Sequence, residues 1–220
     1  MKKALVIGAS GGIGRAVAEE LRGRDVEVVT LSRAEDGFDI TDEASIEAAL
    51  KPLDDDFDLV FVATGALTST RDAPEKSLSD LGADEILAQV SLNAIGPALV
   101  LKHWKRRIPR KGRFVFAALS ARVGSIGDNG LGGWYSYRTS KAALNALMHG
   151  AAVEIGRSRR EAIVACLHPG TVATEFTEDY PDHDKVTPLE AAARLIDVIE
   201  GLSPAQSGGF FDYAAKEIPW

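Results

Sequence analysis

Short apolar runs alternate with longer amphipathic stretches along the chain. A short apolar run between turn residues is typical of a buried strand, and apolar residues at helical spacing are typical of a helix packed on one face. The predicted strands are Leu5–Ile7, Val26–Leu31, Asp58–Ala63, Arg113–Leu119, Ile163–Leu167 and Gly209–Asp212. The predicted helices are Arg15–Leu21, Asp42–Leu50, a long one near Asp84–Arg107, Tyr135–Ile155 and a last one opened by Thr187 and Pro188.

Strands that are apolar throughout and alternate with helices indicate a parallel sheet covered on both faces. The pattern therefore predicts an α/β fold, a doubly wound parallel sheet of the Rossmann type with about seven strands and helices on both faces. No linker, repeat or low-complexity segment interrupts it, so we expect one domain over residues 1–220 that carries every functional site. In such folds ligands bind at the carboxyl ends of the strands.

Three residues predict local features of the helices. Thr41 stands before Asp42–Leu50 and is the expected N-cap. Pro97 lies inside the long helix, where a proline removes a hydrogen bond and produces a kink. Pro188 suits the first position of the last helix.

Composition narrows the functional classes. The chain has 220 residues, 45% of them hydrophobic, which is enough for one core. A net charge of -7 argues against a nucleic-acid surface. The basic run Lys102–Arg113 is then the solvated end of a helix or a patch for an anionic partner.

The same reasoning bears on location and metals. The only cysteine, Cys166, lies in an apolar run and excludes an intrachain disulfide. No apolar stretch approaches the ~20 residues of a membrane span, and the N-terminus is too short for a secretory signal before the first glycines. We therefore expect a cytoplasmic protein. His168 and His183 have no second ligand at metal-like spacing, so no metal is expected.

A glycine-rich loop directly follows the first predicted strand. Its glycines allow a tight turn and close approach of the backbone to a pyrophosphate, and the next helix offers free N–H groups. The spacing is G-x-x-x-G-x-G, and the alternative is a purely structural turn. The expected cofactor contacts in this loop are Gly8, Ser10, Gly12, Ile13 and Gly14.

The end of the second strand bears on the choice of dinucleotide. An acidic residue there favours NAD, whereas a nearby arginine accommodates the 2′-phosphate of NADP. Ser32 and Arg33 stand at this point, so NADP is favoured over NAD, although Glu35 and Asp36 are close by. The alternative is that Arg33 is an ordinary solvated arginine.

Tyr137 and Lys141 are spaced by four residues and share one face of a predicted helix. A lysine beside a phenol stabilises the phenolate, so we expect the pKa of Tyr137 to lie below its usual value of about 10. Such a tyrosine can donate a proton to a carbonyl oxygen or remove one from an alcohol. Tyr135 has Thr139 at the corresponding position, which cannot perform the lysine's role.

With these motifs in order, the whole chain resembles the short-chain dehydrogenase/reductase family. The residues that carry the resemblance are the glycine loop, Asn93, Ser120, the pair Tyr137 and Lys141, and the run Pro169–Thr174. The Gly-Gly-Trp-Tyr-Ser-Tyr run before the lysine and the Ile-Pro-Trp ending resemble the C-factor and sniffer-type carbonyl reductase branch.

The resemblance implies catalytic roles. Ser120 would hydrogen-bond the substrate oxygen, Lys141 would bind the cofactor ribose, and Asn93 would hold a helix distortion and a water. Ser125 is a rival to Ser120 because it is nearer to Tyr137 in sequence. A merely structural hydroxyl at Ser120 and a helix–helix hydrogen bond at Asn93 are the alternatives.

The resemblance also implies further cofactor contacts. Thr64 and Gly65 stand where the family has Asn-Asn-Ala-Gly, so the glycine would lie against the ribose while the asparagines are missing. A family motif that contacts adenine corresponds to Asp39 and Ile40, which could equally cap a helix. Contacts to the nicotinamide carboxamide are implied for Pro169, Gly170, Val172 and Thr174.

The function implied is NADPH-dependent reduction of an aldehyde or ketone by hydride transfer, with Tyr137 as general acid. The alternative is a dinucleotide-binding regulatory or C-factor-like signalling protein with vestigial catalysis. The segment Glu175–Val186, which corresponds to the family lid, is short and charged, so an open substrate site is expected.

Family members commonly pair through two long helices, so the resemblance implies a homodimer or homotetramer. Leu99, Leu147 and Met148 could supply the apolar contact, with burial in the core as the alternative.

Overall fold

The computed structural model describes residues 1–178 and 184–220. The described residues contain one sheet of six parallel strands, one fewer than the approximate expectation from the sequence. The strands are β1 (Lys3–Ile7), β2 (Glu27–Leu31), β3 (Leu59–Val62), β4 (Phe114–Leu119), β5 (Ala162–His168) and β6 (Phe210–Asp212). Their order across the sheet is β2-β1-β3-β4-β5-β6.

Seven α-helices connect the described strands. They are α1 (Gly12–Gly23), α2 (Arg33–Asp36), α3 (Glu43–Leu50), α4 (Ala83–Val90), α5 (Gly96–Trp104), α6 (Tyr135–Gly156) and α7 (Pro188–Gly201). None of the described helices is long and apolar enough to cross a membrane.

Each face of the sheet has its own hydrophobic core. Helices α1 and α7 cover one face, where Val17 and Leu195 pack with Phe61. Helices α3, α5 and α6 cover the other, where Trp104 and Leu144 pack with neighbouring strand residues. Every residue of β4 is buried, which explains why this strand is apolar throughout.

The order in which strands are added to the sheet changes direction at β1. Strand β2 pairs with one edge of β1, and β3 pairs with the other. The carboxyl ends of β1 and β3 therefore flank a switch point, the place where open α/β sheets bind ligands. Gly8 follows β1 at this edge, and Ser120 and Pro169 follow β4 and β5 farther along it.

Two local predictions about helices need correction. Asp42, and not Thr41, is the N-cap of α3, because its carboxylate accepts the Ala44 N–H. Thr41 instead donates its hydroxyl to Asp39. The predicted long helix divides at a π-helical segment, Ser91–Ile95, and Pro97 lies in the first turn of α5 directly after it. A proline there has no N–H to donate to the preceding turn.

The basic run Lys102–Arg113 pairs with acceptors of the chain itself. Lys102 lies 2.5 Å from Glu43, and Arg107 donates to the carbonyl of Leu53 at 2.7 Å. The run surrounds the end of α5, where cations suit the helix dipole.

Candidate active site

The first turns of α6 bring Tyr137 and Lys141 onto one buried face. The two residues are 6% and 3% exposed. The Tyr137 ring lies between Trp134 and Phe176, with ring centroids 6.2 and 5.8 Å away. Lys141 Nζ lies 5.7 Å from the Tyr137 ring centroid and donates to the carbonyl of Leu119 at 2.9 Å.

The expected lowering of the Tyr137 pKa is wrong for this structure. Burial raises the pKa of Tyr137, and burial also lowers the pKa of Lys141 to about 8. The reason is that aromatic rings surround the phenol, while the ammonium is held at the end of β4 by Leu119. Tyr137 is therefore protonated at neutral pH, and burial makes its phenol a weaker acid than a free tyrosine.

Ser120 directly follows β4, beside the carbonyl that holds Lys141. Its Oγ donates to Asn145 Oδ1 at 2.7 Å, and both side chains are buried. Ser125 lies in a loop, where its Oγ accepts the Asp128 N–H at 3.0 Å. Ser120 thus stands at the strand end with Lys141, and Ser125 has a local role in a turn.

Asn145 is a neighbour of the site that the sequence analysis missed. It lies four residues after Lys141 on α6, so it shares the face of Tyr137 and Lys141. The spacing of four residues from Lys141 is the feature of the sequence that could have identified Asn145.

Asn93 lies in the π-helical segment and joins three parts of the chain. Its Oδ1 accepts the Ala66 N–H at 3.0 Å, and its Nδ2 donates to the Ala66 carbonyl at 3.0 Å. Nδ2 also lies 3.0 Å from Ser140 Oγ on α6 and 2.6 Å from Gln89 Oε1. The helix distortion and the helix–helix hydrogen bond, posed as alternatives, both exist.

Two further buried polar residues support Asn93. Gln89 Nε2 donates to Glu85 Oε1 at 3.1 Å. The Glu85 carboxylate accepts the backbone N–H groups of Ser69 and Thr70 at 2.9 and 2.6 Å. Sequence reasoning did not find this line, although its members are spaced at i, i+4 and i+8 on one helix face.

The glycine loop fits closely between two other loops. Gly8 has a φ of +88°, and a Cβ there would lie 2.9 Å from Thr64 N. A Cβ on Gly12 would lie 2.6 Å from Thr174 Cγ2, and one on Gly14 would overlap the Gly8 carbonyl. The first turn of α1 has no side-chain cap, so its N–H groups face this loop unshielded.

Thr64 and Gly65 lie between the glycine loop and Lys141, and we use the name glycine groove for the backbone of residues 8–14 together with Thr64 and Gly65. Thr64 Oγ1 is buried and has no hydrogen-bond partner in the described part of the chain. A Cβ on Gly65 would lie 3.0 Å from Asn93 Oδ1 and 3.3 Å from Lys141 Nζ. A glycine cradle, an uncapped helix start and an unpartnered hydroxyl fit the pyrophosphate and ribose of a dinucleotide.

The end of β2, whose Leu31 carbonyl accepts the Gly8 N–H, is followed by both a cation and a carboxylate. Ser32 caps α2 through its Oγ, and its N–H donates to Asp36 Oδ2 at 2.7 Å. Arg33 is exposed at the start of α2. Asp39 accepts the Thr41 N–H and hydroxyl, and these hydrogen bonds hold the pKa of Asp39 below its usual value.

The other predicted contacts lie at the same edge of the sheet. Ile40 is buried and packs against Gly96, whereas Ser10 and Ile13 are half-buried in the glycine loop. Val172 is buried, and Gly170 has a φ of +80° against the Tyr213 ring. Pro169 leads from β5 into this turn.

Part of the expected lid lies outside the described residues. The segment Glu175–Val186 includes residues 179–183. These residues, with His183 among them, lie outside the described part of the chain. The described part contributes Phe176, which covers the Tyr137 ring. Among the described residues no group of three or more histidines, cysteines and carboxylates could hold a metal ion.

Comparison with known proteins places this arrangement among oxidoreductases. Residues 8–197 match a family model described as "Enoyl-(Acyl carrier protein) reductase". A 1-hydroxy-2-glutathionyl-2-methyl-3-butene dehydrogenase from Rhodococcus sp. is 36% identical over 100% of both chains. The C-signal protein of Myxococcus xanthus is 34% identical over 66% of this chain and 84% of its own.

Solved structures agree with these relatives. A short-chain dehydrogenase/reductase from Burkholderia multivorans with bound NADP has a TM-score of 0.81 and 26% identity, covering 100% of this chain and 99% of its own. The carbonyl reductase Sniffer of D. melanogaster covers 100% of both chains with a TM-score of 0.79 and 20% identity, a likeness of fold. With its glycine groove, its Tyr137–Lys141 pair and these full-length matches, the chain belongs to the short-chain dehydrogenase/reductase family of oxidoreductases.

Proposed function

We propose that this protein reduces an aldehyde or ketone to an alcohol with NADPH. The observation that carries the proposal is the meeting of Tyr137, Lys141 and Gly65. The phenol is buried on α6, and the ammonium one turn later reaches the glycine of the cofactor groove. A proton donor therefore lies one helix turn from the lysine that approaches Gly65, one of the glycines proposed to contact the dinucleotide.

The proposed cofactor site runs along the carboxyl edge of the sheet. A reduced nicotinamide bound there supplies the hydride. The residues proposed to hold the dinucleotide are Gly8, Ser10, Gly12, Ile13, Gly14, Arg33, Asp39, Ile40, Thr64, Gly65, Tyr137, Lys141, Pro169, Gly170, Val172 and Thr174.

The chain's own residues divide the remaining work. Tyr137, kept protonated by burial, donates its proton to the substrate oxygen. Ser120 orients that oxygen after its hydroxyl turns away from Asn145. Lys141 binds ribose, and Asn93 fixes the loop at Ala66 that carries Gly65.

Two observations support NADPH over NADH. Arg33 stands exposed at the end of β2, where a guanidinium can meet a 2′-phosphate. The Burkholderia multivorans relative, 26% identical, was crystallised with NADP. Asp36 acts against a preference for NADPH, because its carboxylate lies beside Ser32 N at the same strand end. A negative charge there disfavours a 2′-phosphate.

A panel of aldehydes and ketones tests the proposal. We expect loss of NADPH absorbance with at least one small aldehyde and formation of the corresponding alcohol. Tight NADPH binding without turnover of any substrate in either direction would contradict it.

That outcome would favour a second candidate, a dinucleotide-binding signalling protein with vestigial catalysis. The similarity to the C-signal protein of Myxococcus xanthus is the observation behind it. The Tyr137 and Lys141 pair favours the enzyme, because a protein that only binds the dinucleotide needs no proton donor there.

We further propose that the enzyme works in the cytoplasm on small molecules, as a homodimer or homotetramer. The single, buried thiol of Cys166 suits a reducing compartment.

A further inference from the structure

A cavity of about 380 Å³ opens at the carboxyl ends of the last strands, beside the proposed reaction centre. It adjoins the proposed cofactor site, because Pro169 and Gly170, which are proposed to hold the dinucleotide, also line it. Its polar lining comes mainly from Arg122, His168, Asp184, Lys185, Arg194 and Asp212.

The walls of this cavity are linked to the reaction centre by short stretches of chain and by hydrogen bonds. Arg122 lies two residues after Ser120. Val186 pairs with the turn after β5, accepting from Ala173 at 2.9 Å and donating to Thr171 at 3.0 Å. Lys185 donates to the carbonyl of Thr177, next to the Phe176 ring that contacts Tyr137. These contacts put the cavity wall next to the residues that surround Tyr137.

Cationic side chains outnumber carboxylates in the lining itself, while Asp128 and Glu190, the partners of Arg122 and Arg194, are not among the lining residues. Three cations and two carboxylates line the cavity.

The Asp212 carboxylate is already occupied, because its Oδ1 accepts the N–H groups of Ala214 and Lys216 at 2.9 and 3.0 Å. Its Oδ2 lies 3.6 Å from Arg122 Nη2. The negative charge of Asp212 is thus offset by two N–H groups of its own turn and by Arg122.

Arg122 and Arg194 are each held in place by a carboxylate that uses only part of the guanidinium's N–H donors. The Arg194 guanidinium lies 5.2 Å from the centre of the Tyr213 ring and uses Nη2 for Glu190. Arg122 uses Nη1 for Asp128 at 2.8 Å. A guanidinium has five N–H donors in a planar fork, so each side chain can still bind a carboxylate.

His168 adds an unused polar atom to the same cavity. Its Nδ1 is buried without a partner among the residues described. Burial lowers the pKa of His168 to about 4, with a further contribution from Arg122, so the ring is neutral at neutral pH. Buried polar atoms are normally hydrogen-bonded, and a ligand oxygen in the cavity would supply the partner.

From this arrangement we infer that the cavity binds a carboxylate group of the substrate, with Arg122 and Arg194 as its donors. The inference rests on the proposed reductase function and names its substrate class, a carbonyl compound that also carries a carboxylate.

Matched pairs of substrates test the inference. The probes are para-carboxybenzaldehyde and a series of aliphatic aldehydes that end in a carboxylate, each compared with its own methyl ester. We expect the acid to exceed the ester in kcat/KM by roughly tenfold or more for the best chain length, mostly through KM. Arg122→Gln and Arg194→Gln should each lower this ratio, and the double variant should bring it close to one.

Two further variants control for charge and folding. Arg122→Lys keeps the charge and should retain part of the ratio. Arg106→Gln removes an exposed arginine that does not line the cavity, and it should leave the ratio unchanged. Thermal unfolding of every variant checks that the fold is intact.

The outcomes separate the two proposals. A wild-type ratio near one, with the esters still reduced, overturns the carboxylate site and leaves the reductase function standing. A high ratio that survives in both arginine variants also overturns it. Failure to turn over any acid or ester while NADPH binds overturns both proposals.

Discussion

The phenol of Tyr137 lies in apolar surroundings that favour its neutral form. Trp134 and Phe176 flank the ring, and the Lys141 ammonium is held by Leu119 instead of the hydroxyl. A neutral phenol is the form needed to protonate a carbonyl oxygen. The raised pKa also makes the phenol a weaker acid, so a positive charge brought close to the hydroxyl would increase its power to donate the proton.

The two tyrosines at the start of α6 should differ sharply in function. Tyr137→Phe removes the proton donor, so we expect kcat for aldehyde reduction to fall by roughly 10²–10⁴-fold with NADPH binding retained. Tyr135→Phe is the matched control, because Thr139 and not a lysine follows one turn later, and it should keep most activity. Steady-state kinetics and NADPH titration measure both. Wild-type turnover by Tyr137→Phe would exclude the proposed mechanism.

Cofactor choice should depend on opposing charges at the end of β2. Arg33→Ala should weaken NADPH binding by about tenfold or more and leave NADH binding nearly unchanged, since a charged hydrogen bond contributes about 1.5–3 kcal/mol. Asp36→Asn, which removes the carboxylate near Ser32 N, should strengthen NADPH binding instead. Fluorescence titrations with both dinucleotides measure the Kd values. Equal Kd values for NADPH and NADH in the wild type would refute the preference.

Lys141 should make stability depend on pH. Burial lowers its pKa in the folded protein to about 8 from an ordinary value of 10.5. Between these values the unfolded chain holds the proton and the folded chain does not, so the Lys141 contribution to stability rises with pH. Relative to Lys141→Met, wild-type stability should improve by up to about 3 kcal/mol between pH 7 and 10. Parallel urea-denaturation profiles for the two proteins would contradict this assignment.

At the scale of elements, α4 and the π-helical segment carry a buried polar line that shapes the site. Glu85 fixes the loop at Ser69 and Thr70, while Asn93 fixes Ala66. Gln89 connects the two through its amide. The helix thus positions the loop that carries Gly65.

Replacing Gln89, which connects Glu85 and Asn93, should lower both the stability of the fold and the turnover rate. Gln89→Leu leaves Asn93 and Glu85 short of a partner, so we expect a loss of about 1–3 kcal/mol in the free energy of unfolding. A fall in kcat should accompany it as the loop loosens. Ala83→Gln, at an exposed position in the first turn of the same helix, is the control and should change neither quantity much. An unchanged urea midpoint for Gln89→Leu would argue against the role of the line.

Most strands and helices could be predicted from the periodicity of apolar residues, because β3 to β5 are buried on both faces. The helix caps were less certain. Thr41 and Asp42 are both good caps, and only the hydrogen bond of Thr41 to Asp39 decides between them. The π-helical segment leaves no mark in the periodicity beyond Pro97, since it depends on contacts of Asn93 with Ala66 and α6.

At the scale of the whole molecule, the sequence could predict which motifs gather at the carboxyl edge of the sheet. Parallel strands place Gly8, Thr64, Ser120 and Pro169 there together. It could not predict the surroundings of these residues. The pKa of Tyr137 depends on Phe176, which arrives from a distant part of the chain.

The exposed apolar residues of α4 and α6 should determine assembly. Of the three residues expected at an interface, Met148 is buried in the core, Leu99 is half-buried, and only Leu147 is exposed, at 43%. Val153 on α6 and Leu87 on α4 are also exposed. Since exposed apolar side chains on neighbouring helices commonly mark interfaces, we expect a homodimer or homotetramer.

Substitution with a charge tests where that interface lies. Leu147→Asp should convert the oligomer of 23.4 kDa chains to monomers, because a dimer would have to bury the new carboxylate. Leu131→Asp is the matched control, since Leu131 is 93% exposed but lies in the loop before α6 and not on either helix. Light scattering at micromolar concentration measures the mass of each protein. A monomeric wild type would contradict assembly itself, and an oligomeric Leu147→Asp would move the interface to another face.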